Sequence, residues 1–111
     1  MVATRQDTIP QGRYEARIIR SKMNQVATGS RLDLDFEIMG GEHDGHVIVK
    51  QLHLHSANAN TQWQARAELS RICVAVGVMT PKDSSALHNI PVAIQVEADK
   101  RHNTITAYSP S

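Results

Sequence analysis

The sequence has 111 residues, a length that suits one domain and leaves no room for two separate cores. Hydrophobic residues make up 41% of the chain and charged residues 21%, which excludes a disordered chain and predicts a packed globule. The formal net charge is only +1, so overall charge does not attract polyanions and any nucleic-acid binding depends on a local patch.

The single cysteine, Cys73, excludes an internal disulfide and a cysteine-rich zinc site, and it is typical of a reducing compartment. Residues 1–10 contain no apolar run, so we expect a flexible lead there rather than a secretory signal or a membrane anchor. Together these features predict a single domain over residues 1–111, in the cytoplasm and without membrane contact.

Period-two alternation of apolar and polar residues predicts three strands in the first half of the chain. The first strand covers residues 13–23 and is followed by a turn at 24–30. The second covers 32–38, where the alternation is clearest. Glycines within 40–45 favour a reversal of the chain, and the third strand runs over 47–55.

A helix follows the third strand. We expect Asn60 to cap its N-terminus and Gly77 to end it. Its apolar stripe has helical spacing and consists of Ala65, Leu69, Ile72, Cys73 and Val76. Alternation returns at 90–96 and 104–108, which predicts a fourth and a fifth strand.

This order of elements predicts an all-β domain with one helix: a five-stranded OB-fold-like Greek-key barrel with the helix between strands 3 and 4. A ferredoxin-like domain is excluded because it needs a helix between the first two strands. An open sheet with the helix on one face is the alternative, since periodicity does not show whether a sheet closes. Strands one, four and five are expected to offer edges through which a homo-oligomer can form.

Four stretches of the chain carry a family resemblance: 9–16 (IPQGRYEA), 32–45 (with LDLDFEI and GGEHDG), 67–77 (AELSRICVAVG) and 107–110 (AYSP). Together they resemble a family of small phage and prophage proteins, long labelled a domain of unknown function and often assigned as single-stranded DNA-binding. The resemblance implies that the chain coats single-stranded DNA beside a phage recombinase or another replication protein. The chain departs from the family in strand three, where His53 and His55 stand in place of an Asn and a Trp.

Aromatic side chains on which bases can stack are few. Phe36 lies on the apolar side of strand two and is predicted to be core, and Tyr14 lies on the inner side of strand one. Trp63, in the first turn of the helix, either covers the end of the barrel or stands in the binding groove. Tyr108, on the last strand, either faces the ligand or packs inside.

Histidines form a second candidate contact. By the period-two rule, Gln51, His53 and His55 share one side of strand three, where imidazole rings can stack on bases or, when protonated, contact phosphate. A metal site would need a third ligand, and His43 or His46 would reach these residues only by folding back. We therefore expect no metal.

The cations predicted to contact phosphate lie at the two loops that usually flank an OB-fold binding face. Lys22 and Arg31 lie beside the loop between strands one and two, and Lys50 on strand three is expected to join them. Lys100 and Arg101 lie in the loop between strands four and five. The alternative for each is a solvated cation that contacts no ligand.

The outer side of strand two carries Asp33, Asp35 and Glu37, opposite the outward Arg13 and Arg17 of strand one. If these strands pair, cross-strand ion pairs are expected, and such pairs count against phosphate binding on this face.

Enzyme motifs are not found in the sequence. No glycine loop precedes a helix to hold a phosphate, and no Ser, His or Asp occurs in a nucleophile motif, so we expect neither catalysis nor a cofactor. Two functions fit the residues. One is non-catalytic binding of single-stranded DNA with little sequence preference, in phage replication or recombination, with RNA binding as a variant. The other is a protein-interaction adaptor built on the same barrel.

Overall fold

The computed structural model describes residues 8–27, 29–78, 83–99 and 102–111. These residues form β1 (Gly12–Val26), β2 (Gly29–Ile38), β3 (Val47–His55), α1 (Ala59–Val76), β4 (Val92–Ala98) and β5 (Asn103–Pro110), with a 3₁₀ turn at Ser84–Leu87. The strands form one sheet in the order β3-β2-β1-β4-β5, and every pairing is antiparallel. A mostly-β domain with its helix between the third and fourth strands is therefore confirmed.

The sheet curls into a half-barrel. Its two edge strands, β3 and β5, face each other, and the Lys50 Nζ lies 3.4 Å from the carbonyl oxygen of Ile105 across the gap. β5 is an edge strand as predicted, whereas β4 pairs with both β1 and β5, so the prediction of a free edge on strand four is wrong. β1 pairs with β4 over residues 12–16 and with β2 over residues 16–26, so among the described residues each half of β1 has a strand partner on one side only.

The hairpin between β1 and β2 is longer than predicted. The two strands stay paired up to Val26 and Gly29, so the turn predicted at 24–30 is mostly strand. Gly29 has a φ of 148°, and a Cβ placed on it would lie 1.9 Å from the carbonyl oxygen of His55. This position therefore requires glycine, because the backbone of β3 passes directly beside it.

A bulge in β1 changes which of its side chains face outward. The register with β2 shifts between Ile18 and Arg20, so one extra residue of β1 is accommodated there. Before the bulge the odd-numbered Arg17 faces outward, and after it Arg20 and Lys22 lie opposite the acidic residues of β2. The bulge therefore keeps Arg20 and Lys22 on the same outer face as Arg17.

The core lies between the concave side of the sheet and α1. Its largest fully buried side chains are Phe36, Ile18, Leu34, Ile38, Leu52, Ile72, Leu87, Ile94, Ile105, Val92 and Val96. The helix contributes the predicted stripe: Ala65, Ile72, Cys73 and Val76 are buried, and Leu69 packs against them. Burial raises the pKa of the Cys73 thiol, as expected for an unreactive core cysteine.

The helix begins earlier than predicted. Asn58, and not Asn60, is the N-cap: its Oδ1 accepts a hydrogen bond of 3.0 Å from the backbone N–H of Thr61. The Ser56 hydroxyl accepts from the N–H of Asn58 and orients it for this role. Gly77 ends the helix as predicted, with a left-handed φ of 79°. In the part of the chain that the structure describes, no helix has the length and apolar character needed to cross a membrane.

The end of the predicted lead packs on the body of the domain. Ile9 is only 3% exposed. Its N–H donates to the Asn103 Oδ1 at 2.8 Å, and its carbonyl accepts from the Asn103 Nδ2 at 2.9 Å. This pair of bonds attaches Ile9 to the start of β5, so flexibility predicted for residues 1–10 does not extend to Ile9. Residues 1–7 lie outside the described residues.

Candidate nucleic-acid interface

Ion pairs cover the outer face of β1 and β2. They are Arg17–Glu37 at 2.9 Å, Arg20–Asp35 at 3.6 Å and Arg31–Asp33 at 2.7 Å. The cross-strand pair predicted for Arg17 is confirmed. Each such surface pair contributes little to stability, about 0 to 1 kcal/mol, but together they leave this face close to neutral.

Lys22 and Arg31 lie at the hairpin end of this face, as predicted. Arg31 holds the carboxylate of Asp33 through its Nε at 2.7 Å and its Nη2 at 3.1 Å, and the amide of Asn24 donates to the same carboxylate at 2.9 Å. Lys22 lies opposite Asp33 in the strand register and is exposed. Arg31 therefore neutralises Asp33, and the exposed Lys22 across from it adds one positive charge to this end of the face.

Lys50 does not join this cluster, and its prediction as a loop-side cation is wrong. It lies opposite the buried Leu34 and faces the interior of the half-barrel. There its Nζ is 3.0 Å from Oε2 of Glu68 on α1, and both side chains are less than one-fifth exposed. The charge of Lys50 is thus neutralised by Glu68 inside the domain, and Lys50 does not contact a ligand at the surface.

Tyr108 packs inside, the second of the two positions foreseen for it. Its hydroxyl donates to Oε2 of Glu68 at 2.7 Å, and its ring lies against that of Phe36 with 5.9 Å between centroids. Burial raises the pKa of Tyr108, and the bond and negative charge of Glu68 raise it further. The ring is therefore not free to stack on a base.

A second register shift separates the two histidines of β3. Leu52 pairs with Leu32 and His55 pairs with Ser30, so three steps along β3 match two along β2. His55 is turned to the side of Ser30, and its Nδ1 lies 2.6 Å from the Ser30 Oγ. The prediction that His53 and His55 share one side of the strand is therefore wrong, because a bulge interrupts the alternation.

The histidines of the turn before β3 do not reach those at its end. His43 lies at the opposite end of the strand, with its ring edge-on to Tyr14 at 6.0 Å between centroids. Within the described ranges, no three His, Cys, Asp or Glu side chains converge as metal ligands would.

Trp63 is the aromatic side chain most available to a ligand. It is 69% exposed, so it does not cover the end of the half-barrel. One helical turn later, the Nε of Arg66 donates to the carbonyl of Leu54 at 2.9 Å. This bond ties the first turns of α1 to the end of β3, so Trp63 lies on the part of α1 that is attached to this end of the strand.

Arg66 and Arg71 are exposed on the same helix and are not among the site residues predicted from the sequence. The one acidic residue of α1, Glu68, is turned inward to Lys50. Helical spacing could have placed Arg66 and Arg71 on the exposed side of the helix, but it does not show which way Glu68 faces. The predicted Lys100 and Arg101 lie outside the described residues.

One family description matches nearly the whole chain. "Protein of unknown function (DUF669)" matches residues 2–110, so the chain belongs to this family. No curated protein matches the chain.

Proposed function

We propose that this member of the DUF669 family is a non-catalytic protein with an OB-type barrel that binds single-stranded DNA with little sequence preference, in phage replication or recombination. The strand order is the observation that carries the proposal. The order β3-β2-β1-β4-β5, with β3 facing β5 and the helix between β3 and β4, fits the five-stranded, partly open OB barrel. Oligonucleotides are among the common ligands of that fold.

The surface supplies the two kinds of contact that single-strand binding needs. Trp63 offers an exposed ring, and a base stacked on such a ring contributes about 1 to 3 kcal/mol whatever its identity. Arg66 follows Trp63 by one helical turn, and the exposed Lys22 lies at the hairpin end beside Arg31, which is paired with Asp33. Cations that contact phosphate do not distinguish one base from another. Binding through phosphates and base stacking would therefore show little sequence preference.

Fluorescence anisotropy with a labelled oligo-dT, repeated over a salt series, tests this function. We expect binding at low salt, and an affinity that falls as salt rises because phosphate contacts release counterions. No binding at low salt would reject the proposal, and an affinity independent of salt would contradict the phosphate contacts. Parallel titrations with oligo-U and with duplex DNA separate a DNA ligand from RNA, and a single strand from a double strand.

A protein-interaction adaptor is the second candidate, and one observation favours it. Val47 and Val49 are 40% and 51% exposed on the outer side of β3, next to the ion-paired and nearly neutral face of β1 and β2. A face of this composition suits contact with another protein, such as a phage recombinase. Binding of a purified recombinase that Val49→Lys abolishes, and that oligo-dT does not compete, would support the adaptor function.

A further inference from the structure

We infer that the single strand lies along the outer face of α1, rather than across β2 and β3 where OB-fold proteins commonly bind. This rests on the proposed function and adds a binding site to it: Trp63 stacks on a base, while Arg66 and Arg71 contact phosphates farther along the strand.

The spacing of the exposed residues on α1 supports this path. Trp63, Ser70 and Val74 follow one line along the helix, and all three are exposed. Arg66 and Arg71 flank that line on opposite sides and are exposed as well. Trp63 and Arg71 are about 12 Å apart along the helix axis, so the ring and the cations are available to neighbouring nucleotides of one strand.

The charged side chains on the outer face of α1 are all positive. Glu68, the one acidic residue of α1, is 17% exposed and is bound by Lys50 and Tyr108 on the inner side. The groove beside Arg71, with a volume of about 250 Å³, is lined on the β5 side by the uncharged 108–110. A polyanion on α1 therefore meets arginines without an acidic side chain of the helix between them.

On the outer face of β1 and β2, by contrast, positive and negative side chains are paired with each other. Its acidic residues, Asp33, Asp35 and Glu37, are each held by an arginine. A phosphate placed there would have to replace a carboxylate that is already bound, and the displaced carboxylate would repel it. The same number of cations thus attracts a polyanion less strongly on this face than on α1.

Arg66 is also held in position for its role. Its Nε donates to the carbonyl of Leu54, which fixes the guanidinium at the end of β3, one helical turn after Trp63. A guanidinium has further N–H donors on its two terminal nitrogens, and these suit a phosphate. Fixing the side chain in advance lowers the entropy lost on binding.

Two matched double variants test the path. Arg66→Gln with Arg71→Gln removes two cations from α1, and Arg17→Gln with Arg20→Gln removes two from the sheet face. Because both lower the net charge equally, a difference between them reports direct contact and not overall charge. Oligo-dT binding is measured by anisotropy over a salt series, and thermal unfolding checks that each variant folds.

We expect the α1 variant to lose at least about tenfold in affinity at low salt, with a salt slope smaller by about 1.4, since two phosphate contacts are removed. The sheet variant should stay within about threefold of the parent protein. Trp63→Leu, an exposed substitution with little risk to the fold, should weaken binding without changing the salt slope.

The outcomes separate the two proposals. No binding of oligo-dT by the parent protein would overturn the proposed function itself. Binding that survives in the α1 variant and is lost in the sheet variant would overturn the α1 path and leave the function standing. Polyglutamate that competes as well as oligo-dT would also overturn it, because it would make α1 a site for an acidic protein.

Discussion

The Nζ of Lys50 lies 3.0 Å from Oε2 of Glu68, and this contact joins β3 to α1 where the half-barrel is open. Tyr108 of β5 donates to the same oxygen at 2.7 Å. One carboxylate therefore connects three elements at the gap between the edge strands. It also has a consequence for the surface: the inward position of Glu68 leaves the outer face of α1 with cations only.

Replacing Glu68 should destabilise the protein strongly. Glu68→Ala leaves the charge of Lys50 without a carboxylate partner at a largely buried position, and we expect the free energy of unfolding to fall by about 3 kcal/mol in urea denaturation. The double variant Lys50→Met with Glu68→Leu is the control, because it removes both charges and should recover most of the loss. A single variant as stable as the parent protein would show that the contact does not hold the gap together.

Stability should also depend on Tyr108 at alkaline pH. The pKa of Tyr108 is raised in the folded protein above the ordinary tyrosine value of about 10, so its stabilising effect is complete below pH 10. As pH rises past 10, the unfolded chain loses this proton first and stability falls. Thermal unfolding between pH 9 and 11 should show a steeper decline for the parent protein than for Tyr108→Phe, and parallel declines would contradict the raised pKa.

Two glycines with positive φ should respond differently to alanine. Gly29→Ala places a methyl group against the backbone carbonyl of His55, and we expect a loss of at least about 2 kcal/mol in the free energy of unfolding. Gly40→Ala has no atom within 4 Å of the new methyl group, so only backbone strain remains, about 1 kcal/mol. Equal losses in chemical denaturation would mean that β3 does not approach Gly29 as closely as the structure shows.

The two candidate caps of α1 can be separated by substitution. Asn58→Ala removes the hydrogen bond to the N–H of Thr61 and should cost about 1 kcal/mol, measured by thermal unfolding. Asn60→Ala places a good helix former inside the first turn and should be neutral or slightly stabilising. The reverse ranking would restore Asn60 as the cap.

Alternation alone was enough to predict the strands and their order along the chain. In β2 every second residue from Ser30 to Ile38 is buried, which is the pattern the sequence suggested for Leu32 onward. Bulges have no comparable signal, because a period-two reading assumes that alternation continues. Because of the register shift near His53, the prediction from alternation assigned His55 to the wrong side of β3. The contact of His55 with Ser30 could not be predicted for the same reason.

Lys50 is a different case. Alternation does place it on the same side as Leu52, facing inward, but a lysine there is improbable without a partner. The partner is Glu68, on another element and 18 residues away, and nothing local indicates that the two meet. Because the sequence does not indicate this contact, it also does not show that the outer face of α1 is purely positive. Arg66 and Arg71 become candidate site residues only once Glu68 is known to face inward.

Trp63 is the only tryptophan in the sequence, so the intrinsic fluorescence of the protein reports on this one position. Titration with unlabelled oligo-dT at low salt is the most direct measurement of whether the chain binds single strands through α1. We expect a saturable change in emission that gives the same Kd as anisotropy and is reversed by added salt. Emission that stays constant while anisotropy shows full binding would place the strand elsewhere, and no response in either signal would end the proposed function.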